Sequence, residues 1–88
     1  MEPFIGQIIQ TGFPFPIHGY ALCEGQMMSI GNNQALFALL GNRYGGDGRT
    51  NFALPDLRPT DKKGNPQPWE DGKPVYQIAL MGIFPARD

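Results

Sequence analysis

The sequence predicts an α+β fold: a small, loop-rich domain of short β-strands with one short helix over about residues 33–40. Three observations predict it. Glycine and proline together fill about a quarter of the 88 residues without forming a repeat, so they punctuate turns. β-Branched and apolar residues fall in runs of strand length. Only one stretch, Gln34-Ala-Leu-Phe-Ala-Leu-Leu, consists mostly of strong helix formers.

The elements follow in order. Phe4–Gln10 (FIGQIIQ) reads as a first strand, ended before Pro14 and Pro16, which cannot continue a ladder. Phe13-Pro-Phe-Pro is expected to be extended, because a residue before proline is pushed away from the helical region. Tyr20–Glu24 reads as a second strand, turned by Gly25 and continued by Met27-Met28. Asn32 or Asn33 is placed to cap the helix through its side chain. Leu36, Phe37 and Leu40 share a face that can dock it, and Gly41 stands where a left-handed residue ends a helix. Phe52–Leu54 reads as a third strand. Pro59–Pro74 is a polar, proline-punctuated loop, long enough to be functional or mobile. Tyr76–Phe84 (YQIALMGIF) reads as a buried closing strand. The chain is thus expected to form one domain over 1–88, divided into 4–58, a loop 59–74, and a closing strand with tail 75–88.

Size and composition limit what such a domain can be. Domains near this length bury only about 60–65% of their unfolded surface, and most need a staple. Cys23 is the sole cysteine, so no disulfide forms within the chain; it reads as a small buried hydrophobe. With one histidine, His18, the paired spacing of a zinc site is missing. Charged residues make up 17% and the net charge is −1, so little keeps copies of the chain apart. Self-association is the expected staple. The seven Lys and Arg residues are scattered, which argues against nucleic acid. No apolar run approaches the length of a membrane span, and the start of the chain lacks a secretory pattern. Synthesis in the cytoplasm, with release by lysis or particle assembly, is the expectation.

The stretch Gly41–Arg58 (GNRYGGDGRTNFALPDLR) invites a chemical reading. A phosphate loop fits poorly: Asp47-Gly48 stand where lysine and a hydroxyl must follow, and the loop leaves a helix C-terminus rather than feeding an N-terminus. Asp47, Asn51 and Asp56 could offer oxygens to calcium, yet the alternating pattern and terminal glutamate of a calcium loop are missing. His18 lacks a nucleophile at any recognisable elbow. What remains is a structural loop, in which Gly45, Gly46 and Gly48 permit positive φ and Arg49 fans its donors onto loop carbonyls, Asp47 or Asp56.

Gly19–Arg58, GYALCEGQMMSIGNNQALFALLGNRYGGDGRTNFALPDLR, closely resembles the phage tail collar domain, found in short tail fibres and in bacterial proteins of the microcystin-dependent group. Ile5-Gly6-Gln7-Ile8 extends the likeness. Tyr20 stands for the usual tryptophan and Glu24 for the usual aspartate. Tyr76–Asp88 is similar to the closing strand of the microcystin-dependent group, with Trp69 where histidine is common. Between Arg58 and Asn65 the chain departs from the family, which usually continues there for many tens of residues. The receptor and metal roles associated with that region therefore do not carry over.

The resemblance implies a non-enzymatic structural or assembly module of a phage tail fibre, collar or related injection particle, without cofactor or metal. It also implies a trimer that meets other tail or baseplate proteins. Its expected structural loop comprises Gly45, Gly46, Asp47, Gly48, Arg49, Asp56 and Arg58. Phe13, Phe15, His18, Tyr20 and Trp69 are candidate interface or receptor contacts, with Met27, Met28 and Ile83 expected to pack within and between subunits. The alternative is a module that binds a cell-surface receptor or glycan through the loop around Trp69, flanked by Glu70 and Asp71. Against it stands a Trp69 that folds back to cap the core.

Overall fold

The computed structural model describes residues 2–86. Its elements are β1 (Ile8–Thr11), β2 (Tyr20–Leu22), β3 (Met27–Ser29), α1 (Gln34–Leu40), β4 (Asn51–Ala53) and β5 (Val75–Ala79). Two small antiparallel sheets and one short helix make an α+β fold, as the sequence predicts. The three-stranded sheet has the order β1-β5-β2, and β3 pairs with β4 in a second sheet.

The closing strand is the centre of its sheet. Ile8 to Thr11 pair with Ile78 to Val75 on one side, and Tyr20 to Leu22 pair with Ala79 to Gln77 on the other. Its one face carries Tyr76 and Ile78; the other carries Val75, Gln77 and Ala79, since successive strand residues point to opposite sides. Ile78 joins Ile5, Cys23, Leu36, Phe52 and Leu54 in the core, against which Ala21, Phe37 and Tyr76 pack. The opposite face is covered by the segment after β1. Val75, Gln77 and Ala79 are buried there.

Several boundaries differ from the sequence reading. Phe4–Gln10 is not one strand: Phe4 makes a parallel bridge to Ile83, the chain turns at Ile5-Gly6, and only then does β1 begin. Gly6 adopts a positive φ of 83°, and its N–H goes to Ala79 O rather than along a continuous ladder. Met27-Met28 does not continue β2. After Leu22 the chain turns, with Glu24 N–H donating back to Leu22 O, and Met27–Ser29 enters the second sheet. β4 begins at Asn51, one residue before the expected Phe52. β5 ends at Ala79, short of the expected Phe84: Leu80 N–H still donates to Gly19 O in register, and Ile83 N–H then donates to Pro3 O instead. Phe13-Pro-Phe-Pro bends over Gly12–Phe15 instead of staying extended, and the rings of Phe13 and Phe15 stack at 4.6 Å.

The helix starts and ends differently from expectation. No side chain caps it; Asn33 occupies the N-cap position, but its Nδ2 donates to Ser29 O at 2.9 Å, tying the helix start to the end of β3. Gly41 has the expected positive φ, 60°, but a ψ of −154° takes it out of the left-handed helical region. Its N–H closes the last turn on Phe37 O at 2.7 Å. Leu36 is fully buried, and Phe37 meets Phe52 with ring centroids 5.4 Å apart. A seven-residue helix is marginal in water, so this docking holds it.

Candidate functional site

The glycine loop doubles back along β4. Gly45 O accepts from Ala53 N–H at 3.0 Å, and Gly48 N–H donates to Asn51 O at 3.0 Å. At Gly46 a side chain is excluded, because a Cβ would stand 2.5 Å from Phe52 Cα. Gly45, Gly46 and Gly48 all have positive φ, at 134°, 92° and 74°. Gly46 is there for close backbone approach, and Gly45 and Gly48 for the positive φ.

Asp47, not Arg49, anchors this loop. Asp47 Oδ1 accepts from the N–H groups of Arg49, Thr50 and Asn51 at 2.8, 2.9 and 3.1 Å, and Oδ2 accepts from Thr50 Oγ1 at 2.8 Å. Asn51 Oδ1 in turn accepts from Asp47 N–H at 2.9 Å. These donors, the Arg49 N–H foremost, hold the Asp47 carboxyl far below the ordinary aspartate range. The expected fan of Arg49 donors is replaced: among the described residues its guanidinium makes no hydrogen bond, and the residue contributes its backbone N–H. Both Asp47 oxygens bond the loop and both Asp56 oxygens bond Arg58. Among the described residues no three His, Cys, Asp or Glu side chains converge to hold a metal.

The end of the signature closes on its beginning. Arg58 Nε and Nη2 donate to Asp56 Oδ1 and Oδ2 at 3.0 and 2.7 Å, and Nη2 also reaches Glu24 O at 3.1 Å. Arg58 lowers the Asp56 carboxyl, chiefly through this side-chain bond. Glu24 and Asp56 form an antiparallel bridge, and Leu57 N–H donates to Cys23 O at 2.8 Å. Cys23 sits beneath this clasp with no exposure. Burial, then the charges of Asp56 and Glu24, push its thiol up to about 11, so it is a core residue rather than a nucleophile.

Trp69 comes back to the same corner. Its indole Nε1–H donates to Glu24 Oε2 at 2.7 Å, and its ring lies 6.5 Å from that of Tyr76. Between Trp69, Tyr76, Leu57, Pro59 and Pro74 is an open cleft of about 250 Å³. His18 and Tyr20 are brought together elsewhere, in a cleft of about 290 Å³ with Pro3 and Met81. Phe13 and Phe15 lie in the segment after β1, whose backbone Gln77 holds at Phe15 O. The candidate contacts therefore form three places, not one surface.

Sequence reading missed two anchors. Gln77 is a fully buried amide: its Oε1 accepts from Ile17 N–H at 2.9 Å, and its Nε2 donates to Thr11 Oγ1 and Phe15 O, each at 3.0 Å. A lone glutamine in an otherwise apolar strand was the available signal. Asp61 is the second. Its Oδ1 accepts from the N–H groups of Lys63 and Asn65, both at 2.9 Å, which lowers its carboxyl, mostly through Asn65. Asp61-Lys-Lys-Gly-Asn65 thus repeats the Asp47-Gly-Arg-Thr-Asn51 turn, with bonds from the residues two and four positions on. It closes a small hairpin, with Thr60 bridging Pro66 and Gln67 N–H on Pro59 O at 2.8 Å.

Neither the curated proteins nor the solved structures contain a match to this chain. The family model of the phage tail collar domain matches residues 6–60, more than half of the chain, from the turn before β1 through the glycine loop to the Asp56–Arg58 clasp. With the glycine loop and the clasp inside the matched residues, the chain belongs to the phage tail collar domain family, a structural family of phage tails.

Proposed function

We propose that this chain is a non-enzymatic assembly module of a phage tail fibre, collar or related injection particle, and that it works as a trimer in contact with other tail or baseplate proteins. The observation that carries the reading is surplus surface. The chain exposes 6093 Å², where a folded monomer of this mass exposes about 5,100 Å². Its radius of gyration is 13.5 Å, against about 12 Å for a compact chain of this length. The excess, on the order of 1,000 Å², is close to what one partner buries in a standard interface. Much of it is apolar: Phe15, Met27, Met81 and Phe84 are each more than half exposed. The likeness of Tyr76–Asp88 to the microcystin-dependent group supports a particle component of the same kind. Residues 1–88 then act as one module, in which 75–79 complete the sheet that the matched part begins.

Light scattering on the purified chain tests this. The expected mass is three times 9.7 kDa; a clean monomer at high concentration overturns the trimer.

The second reading, a glycan or receptor site around Trp69, draws support from the open cleft beside the ring. The indole N–H bond to Glu24 favours the structural role, since the polar edge of the ring is already engaged. A glycan array that binds the wild type but not a folded Trp69→Ala variant would reverse that order.

A further inference from the structure

Aspartate is followed by glycine twice in this chain, at Asp47-Gly48 and at Asp71-Gly72. The pairing matters chemically. With no Cβ to shield it, the glycine nitrogen can close on the carboxyl carbon of the residue before it. The two pairs share this chemistry and stand in opposite surroundings.

At Asp47-Gly48 each reacting group is occupied. Asp47 Oδ1 accepts from three backbone N–H groups and Oδ2 from Thr50 Oγ1. Gly48 N–H, the nucleophile, donates to Asn51 O at 3.0 Å. A Cβ at Gly48 would stand 3.0 Å from Asn42 Nδ2, so the glycine is packed as well. The same bonds keep the Asp47 carboxyl ionised, and a carboxylate lacks the hydroxyl that has to leave.

At Asp71-Gly72 these groups are free. Both residues are exposed, and among the described residues neither the Asp71 carboxyl nor the Gly72 N–H has a hydrogen-bond partner. A Cβ at Gly72 meets nothing within 4 Å. The pair fills the middle of a tight turn, closed by Lys73 N–H on Glu70 O at 3.2 Å, with Gly72 at a φ of 78°. That is the place of glycine in a type II turn. An open cleft of about 400 Å³ lies between Gly72–Pro74 and Gln10–Gly12, which leaves the turn room to rearrange.

We propose that Asp71 is a site of spontaneous isoaspartate formation, and that the glycine loop protects Asp47 from the same reaction. Gly72 N attacks Asp71 Cγ: an N–Cγ bond forms, a Cγ–O bond breaks, and the hydroxyl leaves with the amide proton as water. Water then opens the cyclic imide. Attack at the main-chain carbonyl carbon of Asp71 breaks its bond to Gly72 N and leaves the chain running through Cγ, as isoaspartate. Attack at Cγ restores aspartate. The water lost is regained, and no oxidant, metal or second protein is needed. Isoaspartate puts an extra carbon into the main chain between Glu70 and Gly72. It thereby reshapes the turn whose Glu70, Lys73 and Pro74 line the Trp69 cleft.

The test warms the whole chain at neutral pH, one sample folded and one in urea, and then digests both with trypsin. Cleavage after Arg43, Arg49 and Lys63 puts the pairs in separate peptides, Tyr44–Arg49 and the one that starts at Gly64. Isoaspartate is read by enzymatic methylation of its carboxyl and by a peptide of unchanged mass that elutes apart. In the folded chain it should form at least about tenfold faster in the Gly64 peptide, since Asp47 reacts only when its loop opens. In urea the two rates should converge. Asp71→Glu, a change at an exposed position, should remove the signal from the Gly64 peptide. Equal rates in the folded chain would overturn the protection of Asp47. A Gly64 peptide that reacts in urea but not in the folded chain, or in neither, would overturn the site at Asp71.

Discussion

Gln77 Nε2 lies 3.0 Å from the carbonyl oxygen of Phe15, across the sheet face from the core, while its Oε1 takes the N–H of Ile17. One buried amide thus partners the backbone on either side of Pro16. With Thr11 Oγ1 it makes three bonds and no buried side-chain polar atom among the described residues is left without a partner.

Gln77→Leu keeps the volume and removes every bond. The Ile17 N–H and Phe15 carbonyl are then left half-buried without partners, a cost of about 2–3 kcal/mol. Urea unfolding should show a lower midpoint with the slope unchanged. A loss below about 0.5 kcal/mol would mean water replaces the amide at no cost.

Gly46→Ala should be more damaging than its size suggests. Alanine has to adopt a φ of 92° and place its methyl against Phe52 Cα. Strain of this kind costs about 1–3 kcal/mol before any clash is relieved. The corresponding change at Gly12, whose φ is not positive and where a Cβ meets nothing within 4 Å, should leave the melting temperature nearly unchanged. Equal effects at both positions would remove the close-approach argument.

Acid stability should depend on the aspartate turns. Asp47, Asp56 and Asp61 all have carboxyls lowered in the folded chain, against about 3.9 when unfolded. A lowered folded value gives stability that is complete above the unfolded pKa and is lost as pH falls through it towards the folded values. Denaturant midpoints should be level from pH 7 to about pH 5 and fall below about pH 4. Asp47→Ala should lower the midpoint at pH 7 and make the acid limb shallower. A wild-type profile that stays flat to about pH 2.5 would show that these turns persist unfolded.

Much of this was legible in local chemistry. The one helix, the strand character of Ile8–Gln10 and Tyr20–Leu22, the burial of Cys23 and the turning role of Gly45–Gly48 are consequences of propensity, periodicity and glycine's freedom at positive φ. The family likeness of Gly19–Arg58 was legible too, because short-range spacing carries it. The Asp61 turn could have been read beside the Asp47 turn, since Asp-x-(Arg/Lys)-x-Asn occurs at both.

The rest depended on which segments meet. Sequence alone determined that this is a glycine-punctuated α+β chain with a turn at positive φ after its helix, because those features act over a few residues. Only the tertiary structure decided that β5 stands between β1 and β2, which do not pair with each other, so that a strand beyond the family match holds the matched part together. The same structure decided that Asp47 rather than Arg49 anchors the loop: three N–H groups converge on one carboxylate only when the chain curls around it. It also set Phe15 and Trp69 on opposite sides of one strand. Hydrogen-bond partners 45 to 66 residues apart, such as Glu24 with Trp69 and Thr11 with Gln77, have no signature in spacing, since it is the packed core that brings them together.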